Sequence, residues 1–103
     1  MSKVRITRRC TAEHLPELPK SIRTAALKKL RNLAGDPKSG KPLTGDLRPY
    51  RTVRVGRYRI VYRYDPTEDV VWVVLIAIRR EGSRNDVYER LLKDLQSGKV
   101  KLE

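Results

Sequence analysis

Hydrophobic and polar residues follow two different spacings in the first third of the chain. Val4 and Ile6 alternate with polar neighbours, which predicts a short edge strand. A brief helical turn follows, which Thr11 is expected to cap, and then a longer segment carries apolar residues at helical spacing. This segment predicts an amphipathic helix that ends at Gly35. Its apolar stripe consists of Ile22, Ala26, Leu30 and Leu33.

Residues 50–78 predict an antiparallel meander of three strands. Tight turns divide this segment at residues 56–57 and 66–69. The third strand is an uninterrupted apolar run, which is typical of a strand that is buried on both faces. Trp72 lies within this run and is expected to belong to the core. The predicted strands are Tyr50–Val55, Tyr58–Asp65 and Val70–Ile78.

The last apolar positions predict one more helix. Val87, Leu91 and Leu95 fall on a single helical stripe, and Gly98 is expected to end the helix. Three residues are alternative caps for its first turn, namely Ser83, Asn85 and Asp86.

Together these elements predict an α+β fold in one small domain. We expect a twisted antiparallel sheet, made of the N-terminal strand and the meander, which packs on an N-terminal helical hairpin and carries a C-terminal helix. Residues 1–97 are expected to form the ordered fold and residues 98–103 a frayed tail. A chain of 103 residues supports a single modest core. This size excludes two-domain architectures that enclose a cofactor in a cleft.

The balance of charge predicts a binding partner for this domain. The chain holds 24 Lys and Arg against 12 Asp and Glu, which gives a formal net charge of +12. An excess of this size predicts an acidic partner, either nucleic acid or an acidic protein. The longest apolar run is far shorter than the roughly 20 residues that span a bilayer, and the charged N-terminal segment lacks the apolar stretch of a signal peptide. We therefore expect a cytoplasmic protein that has no membrane partner.

The sequence predicts neither a metal site nor a cofactor. Cys10 is the single cysteine and His14 the single histidine, and no spacing of such residues resembles a zinc site. Their separation would allow a thiol and its general base to meet on one helical turn. A buried thiol and a surface histidine are the more common arrangement. We therefore do not expect a cysteine nucleophile.

The candidate chemistry lies in the first hairpin of the meander. A two-residue turn places Val55 opposite Tyr58, and the same register places Arg54 opposite Arg59. Like charges directly opposite on neighbouring strands destabilise a sheet by roughly 0.2–1 kcal/mol. A purely structural sequence would be expected to avoid this pair, whereas an anionic ligand would make it favourable. Every basic residue from position 42 to 92 is arginine, whose planar fork suits phosphate.

Two other side chains have two interpretations each. The same register puts Arg63 opposite Tyr50 on the arginine side of the sheet, but an ion pair of Arg63 with Asp65 or Glu68 is an equal alternative. Tyr88 lies off the apolar stripe of the last helix. Its hydroxyl can point into the arginine side, or the residue can be a core tyrosine with a solvated tip.

These motifs resemble those of the RelE/ParE toxins of bacterial toxin-antitoxin pairs. The most specific are the GKPL loop at residues 40–43, the VGRYRIVY hairpin at residues 55–62 and the NDVY ending at residues 85–88. The resemblance covers roughly Val4 to Leu92. It implies a small α+β domain with a twisted antiparallel sheet on two N-terminal helices and a mobile C-terminal helix, in agreement with the pattern of the chain.

The resemblance implies one of two activities. RelE-type members look like endoribonucleases that enter the ribosomal A site and cut the messenger, whereas ParE-type members inhibit DNA gyrase. RelE-like chemistry has the 2′-hydroxyl attack the adjacent phosphate, which requires charge stabilisation and proton transfer. By resemblance the catalytic residues are Arg54, Arg59, Tyr88 and, as alternatives for one position, Arg80 and Arg84. Further phosphate contacts are expected from Arg51, Arg57, Arg63 and Arg79.

The chain departs from the family pattern at positions that bear on proton transfer. Thr52 stands where a second hairpin lysine is typical, and the loop before Tyr88 is longer than usual and lacks the histidine that many relatives carry there. Which arginine replaces the general acid is therefore open. Arginine seldom gives up its proton, so Tyr88 is the leading candidate for the base.

Our expectation from the sequence is a toxin that acts as a ribosome-dependent mRNA endoribonuclease. ParE-like gyrase inhibition and a non-catalytic nucleic-acid-binding domain are the alternatives. The resemblance also implies a cognate acidic antitoxin, largely disordered when alone. The expected partners are therefore this antitoxin, the ribosome and mRNA, with no small-molecule cofactor.

Overall fold

The computed structural model describes residues 1–103, which form a single five-stranded sheet with helices on both faces. The strands are β1 (Lys3–Ile6), β2 (Lys41–Pro42), β3 (Arg51–Val55), β4 (Tyr58–Asp65) and β5 (Val70–Ile78). The helices are α1 (Leu15–Glu17), α2 (Lys20–Gly35) and α3 (Val87–Gln96), with a π-helical turn (Cys10–His14) leading into α1 and a 3-10 turn at Gly45–Leu47.

The strands are arranged in the order β1-β5-β4-β3-β2. The predicted meander of β3, β4 and β5 is confirmed, and so is the α+β fold class. β1 is an edge strand as expected, but it runs parallel to β5, so the sheet is mixed rather than wholly antiparallel. A parallel pair requires a long crossover connection, and the helices that follow β1 begin it. The second edge strand, β2, was not predicted, and Pro42 fits there because an edge position needs no backbone donor.

The apolar stripe of α2 builds the larger core on one side of the sheet, which we call the α2 face. Ala26, Leu30 and Leu33 pack against buried residues of β3, β4 and β5. Cys10 and Leu18 complete this core from the N-terminal helical region. Full burial of each large aliphatic side chain stabilises the fold by about 1.5–3 kcal/mol. The α2 face therefore holds the sheet in place for the side chains on its other side.

The opposite side of the sheet, the α3 face, carries a smaller core. Val87 and Leu91 of α3 are fully buried and pack in the same cluster as Val61 and Leu75 of the sheet. The predicted stripe of the last helix is thus confirmed. Helices shorter than about 12–15 residues are marginal in isolation, so α3 depends on this core for its position. None of the helices is long and apolar enough to cross a membrane.

The glycine of the GKPL loop lies directly against a buried tyrosine. The backbone N–H of Gly40 donates to Tyr62 Oη at 2.9 Å, and Oη donates to the Pro37 carbonyl at 2.8 Å. A Cβ at position 40 would lie 2.5 Å from Tyr62 Oη, so no side chain fits there. Arg51 adds hydrogen bonds to the carbonyls of Lys38 and Gly40. The loop before β2 is therefore fastened to the sheet.

Three local predictions are wrong. Thr7 rather than Thr11 caps the first helical turn, since Thr7 Oγ1 accepts from the backbone N–H of Cys10 at 3.3 Å. Trp72 is half-buried and belongs to neither core, because the pleat turns it to the α3 face beyond the part of β5 that α3 covers. His14 is buried, with 1% of its surface exposed, because the π-helical turn directs it inward.

Residues 98–103 return along the N-terminal region instead of leaving the domain. Gly98 has a φ of +69° just after α3. Val100 packs against the core of the α3 face, and the Glu103 carbonyl accepts from the backbone N–H of Arg8 at 2.7 Å. This segment borders a cavity of about 450 Å³, which is lined by side chains of both charges.

Candidate functional site

The hairpin of β3 and β4 forms the centre of the candidate site. Gly56 has a φ of +58°, a conformation that a residue without Cβ adopts at least cost. This turn fixes the register, in which Val55 is opposite Tyr58 and Arg54 is opposite Arg59, as predicted. Directly opposite residues share a face of the sheet. The two arginines therefore lie side by side on the α3 face.

The guanidinium groups of Arg54 and Arg59 converge on the hairpin turn. Arg54 Nε donates to the Gly56 carbonyl at 3.2 Å, and Arg59 Nη1 donates to the same carbonyl at 3.4 Å and to that of Tyr58 at 3.0 Å. Neither arginine has a carboxylate partner. The repulsion between them is therefore not relieved by any acidic group of the protein.

A shallow cleft of about 310 Å³ opens where the hairpin tip meets the end of β5. Five of its seven lining residues are arginines and none is acidic, which makes the cleft a strongly positive surface depression. Low-dielectric walls concentrate such a field and attract anions. The arginines that line the cleft are Arg54, Arg57, Arg59, Arg79 and Arg80.

A buried carboxylate, Asp86, joins the end of β5 to the start of α3. Its Oδ1 accepts from Arg79 Nη1 at 2.7 Å and from the backbone N–H of Arg80 at 2.6 Å, and its Oδ2 caps α3 by accepting from the backbone N–H of Tyr88 at 3.1 Å. Burial by itself raises the pKa of a carboxyl group, but these hydrogen bonds outweigh it and hold the pKa of Asp86 below its usual range. Asp86 therefore stays ionised and fixes this corner of the cleft.

Tyr88 borders the cleft from the first turn of α3. Its hydroxyl donates to Thr52 Oγ1 at 3.2 Å, and the Arg79 guanidinium lies over its ring, 4.9 Å from the centroid. Thr52 and Arg54 are neighbours on the same face of β3, so the phenol oxygen lies close to the arginine pair. The ring also packs against the core of the α3 face. Both interpretations of Tyr88 from the sequence are thus compatible with its position.

Three of the arginines singled out in the sequence lie away from the cleft. Arg51 is opposite Tyr62 on the α2 face, where its guanidinium is occupied by loop carbonyls. Arg63 lies four residues along β4 from Arg59, at the far end of the sheet. Arg84 is exposed in the loop between β5 and α3 and makes no side-chain contact with a charged partner.

The alternative interpretation of Arg63, an ion pair with a nearby acid, is not what the structure has. The Asp65 carboxylate accepts from the backbone N–H groups of Thr67 and Glu68, at 3.0 and 3.3 Å, and so serves the turn after β4. Arg63 itself is exposed and makes no ion pair.

Sequence reasoning missed two residues that organise the site. Thr52 was noted only as a departure from the family pattern, yet it holds the Tyr88 hydroxyl. Asp86 was noted only as a candidate cap, yet it also binds the side chain of Arg79. The position of an acid two residues before Tyr88 was the available signal. The ion pair of Asp86 with Arg79 depends on how the loop between β5 and α3 brings the two side chains together, and the sequence alone does not give that distance.

The buried Cys10 and His14 do not form a reactive pair. Burial raises the pKa of the Cys10 thiol to about 12, so the reactive thiolate is disfavoured at neutral pH. Burial, followed by the charges of Arg90 and Arg9, lowers the pKa of His14. No three His, Cys, Asp or Glu side chains come together as metal ligands.

Comparison with known proteins gives a consistent group of relatives. A family model described as the ParE toxin of type II toxin-antitoxin systems, parDE, matches residues 4–82. The RelBE2 toxin-antitoxin complex from Mycobacterium tuberculosis is similar, with 30% identity, coverage of 76% of this chain and 98% of that chain, and a TM-score of 0.69. The isolated Escherichia coli RelE toxin has the same fold, with 20% identity, 92% and 99% coverage and a TM-score of 0.66. No curated protein sequence matches the chain.

Proposed function

The chain belongs to the family of ParE toxins of type II toxin-antitoxin systems, and from that premise we propose that it is a RelE-type endoribonuclease that cuts mRNA on the ribosome. The observation that carries the proposal is the cleft of five arginines without a carboxylate, with Tyr88 at its border. A phosphodiester in this cleft would supply the negative charge that four of its arginines, all except Arg79, do not find within the protein.

In the proposed reaction the ribose 2′-hydroxyl attacks the adjacent phosphorus. A bond forms between the 2′ oxygen and phosphorus while the bond to the 5′ oxygen breaks, and the product is a 2′,3′-cyclic phosphate. Negative charge grows on the phosphoryl oxygens in the transition state. Arg54 and Arg59 would stabilise it, because their guanidinium groups are already held side by side by the hairpin turn.

Tyr88 is the proposed general base. In its phenolate form it would take the proton of the 2′-hydroxyl, while Thr52 acts as a positioning residue for the phenol oxygen. The departing 5′ oxygen also needs a proton. A guanidinium rarely supplies one, since its pKa lies above about 12, so Arg80, which lines the cleft, would hold a water molecule that does.

The open shape of the cleft supports a requirement for the ribosome. The cleft is shallow and lies on the surface of the domain, so the protein alone supplies only one wall of a substrate site. A ribosome that holds the message in line for attack would supply the missing orientation, which is worth several orders of magnitude in rate. The proposed place of action is therefore the cytoplasm.

The test is to map the 5′ ends of transcripts after a brief pulse of expression. We expect new ends within coding regions, together with an arrest of growth. Arg59→Ala should abolish both, while Arg31→Ala, which removes an exposed arginine from α2, should retain both. Normal toxicity of a folded Arg59→Ala protein would contradict the proposed nuclease site.

A second candidate function is inhibition of DNA gyrase, because the matching family model is that of the ParE toxins. The same positive surface would then contact an acidic protein or DNA. Purified protein in a supercoiling assay separates the two functions. Loss of supercoiling without any new mRNA ends would replace the nuclease by the gyrase inhibitor.

An acidic antitoxin is the proposed partner of the toxin. The similar M. tuberculosis structure is a toxin-antitoxin complex. In this chain a partner could cover Arg54 and Arg59, or displace α3 together with Tyr88, since α3 is short and held by a small core. Hydrogen exchange of the free and bound toxin should then change at residues 50–63 or 85–97. Changes confined to residues 20–34 would contradict direct occlusion.

A further inference from the structure

A second group of residues on the α3 face lies outside the arginine cleft. Trp72 of β5 is directly opposite Arg5 of β1 on one side and directly opposite Arg63 of β4 on the other. Directly opposite residues of neighbouring strands share a face, with Cβ atoms about 4.5–5.5 Å apart. The three side chains therefore form a row across three strands, which we call the tryptophan row. Its aromatic ring lies between two cations.

Neither arginine of the tryptophan row is used by the fold. Arg5 and Arg63 are exposed, and neither takes part in an ion pair. In contrast, Arg9 and Arg79 pair with carboxylates at 2.6 and 2.7 Å. Two cations that flank one ring and find no anion within the protein are available to an anion from outside.

The indole ring of Trp72 is also without a partner. It is half-buried and belongs to neither core. The one cation-π contact of the domain is that of Arg79 with Tyr88, so neither neighbouring arginine covers the indole. Part of the Trp72 side chain is therefore left for recognition.

The tryptophan row is separate from the arginine cleft. Arg63 lies four residues from Arg59 along β4, which corresponds to about 13 Å. The core of the α3 face, which includes Val61 and Leu75, lies between them. A ligand of the row therefore need not enter the cleft, and binding at the row can be measured apart from cleavage.

We propose that the tryptophan row binds single-stranded RNA, with an unpaired base stacked on Trp72 and the flanking phosphates held by Arg5 and Arg63. Proteins that bind single strands combine aromatic platforms with cations in this way. The net charge of +12 favours a polyanion. An acidic protein segment would satisfy the arginines but would leave the ring without a stacking partner, so the row favours RNA. This site goes beyond the proposed nuclease and does not depend on it.

Trp72 is the single tryptophan of the chain, so tryptophan fluorescence measures binding at this site directly. We would titrate the full-length protein with a 2′-O-methyl oligoadenylate of about eight nucleotides, which cannot be cleaved by 2′-hydroxyl attack. The expected result is saturable quenching of the Trp72 emission. Arg5→Ala/Arg63→Ala should weaken binding at least tenfold and lower the slope of log affinity against log salt by about 1.4.

A matched variant controls for the loss of charge. Lys28→Ala/Arg31→Ala removes two exposed cations from α2, and its affinity should stay within about twofold of the original. Thermal unfolding of each variant confirms the fold. Unchanged emission in the titration, or equal binding by the Arg5→Ala/Arg63→Ala protein, would overturn the site.

Two further measurements test the stacking itself. With a labelled oligonucleotide and anisotropy as the readout, Trp72→Phe should retain binding while Trp72→Leu weakens it at least fivefold. Equal affinities of these two variants would overturn the stacked base. Polyglutamate that quenches Trp72 as strongly as the oligoadenylate would assign the row to an acidic protein instead.

Discussion

The arginines of the hairpin and those around α3 differ in what holds them. Arg54 and Arg59 donate only to backbone carbonyls of their own turn. Arg79, which lines the same cleft, is bound to the buried carboxylate of Asp86 and lies over an aromatic ring. The residue type and the cleft are the same in both regions. The presence of an internal carboxylate is what separates an arginine that supports the fold from one that is free to bind an anion.

A second ion pair of the supporting kind lies at the other end of α3. Arg9 of the N-terminal helical region pairs with Asp94 of α3 at 2.6 Å and with Glu13 at 3.3 Å. Carboxylates at both ends of α3 therefore tie it to the rest of the domain. Substitutions in the hairpin should therefore change activity with little effect on stability, and substitutions around α3 should do the reverse.

The largest effect is expected from Arg59→Ala. Loss of one fixed donor to transition-state charge should lower the rate of cleavage of ribosome-bound mRNA by about 100-fold or more. The free energy of unfolding should change by less than about 0.5 kcal/mol, because Arg59 has no partner side chain. Cleavage assays and urea unfolding measure the two quantities. A large loss of stability would place Arg59 in the supporting class.

Asp86→Ala should chiefly change the stability of the fold rather than its activity. It removes the cap of α3 and leaves Arg79 without its carboxylate, so we expect a loss of about 3 kcal/mol in the free energy of unfolding. Asp86→Asn retains an acceptor for the cap and should lose less. Because the pKa of Asp86 is lowered in the fold, its contribution is present above about pH 4 and is lost as pH falls through the folded-state value. Equal stability of the two variants would argue against the cap, because both of them lack the ion pair.

His14 offers a test within the supporting region. Both of its ring nitrogens are buried without a hydrogen bond, so His14→Leu should stabilise the fold by about 1 kcal/mol. Burial first, then the charges of Arg90 and Arg9, lower the pKa of His14 against the opposing effect of Asp94 and Glu13.

The sign of the pH dependence follows from this direction. The fold favours neutral His14. The stability of the fold is therefore fully present above pH 6.5, and it is lost as the pH falls from there towards the lower folded-state pKa of His14. Urea unfolding at about pH 7.5 and 5.5 should show this loss in the original protein. The same loss in His14→Leu would assign it to another group.

Only a small gain in stability is expected from Arg54→Glu. An acid opposite Arg59 turns a repulsive cross-strand pair into an attractive one, which should raise the free energy of unfolding by roughly 0.2–1 kcal/mol. The same change should abolish cleavage, because it places a carboxylate in the cleft. Arg54→Gln is the neutral control, and its free energy of unfolding should lie between those of the original protein and of Arg54→Glu. Destabilisation by Arg54→Glu would mean that the hairpin arginines already have a structural role.

Sequence patterns predict those parts of the fold that are fixed by neighbours in the chain. The bounds of β4 and β5 and the register of Arg54 against Arg59 follow from strand alternation and a short turn. The direction of β1 does not follow, because its partner lies far along the chain and alternation carries no information about direction.

The same limit applies to the candidate site. The hairpin arginines were found through their register, whereas the contact of Thr52 with Tyr88 joins residues that are distant in the chain. The tryptophan row could not be predicted at all, since it requires the pairing of β1 with β5. Residues brought together by one turn are accessible to sequence reasoning, and residues brought together by the whole sheet are not.

The parallel pairing of β1 with β5 also delays the completion of the sheet during synthesis. β1 is translated first, but its partner residues, 70–73, are made only after most of the chain. At about 5–20 residues per second, several seconds pass before the first strand can join the sheet. Until β5 is made, the hairpin lacks its neighbouring strand and the arginine cleft lacks Ile78, Arg79 and Arg80. The toxin thus acquires its surface only late in the translation of its own message.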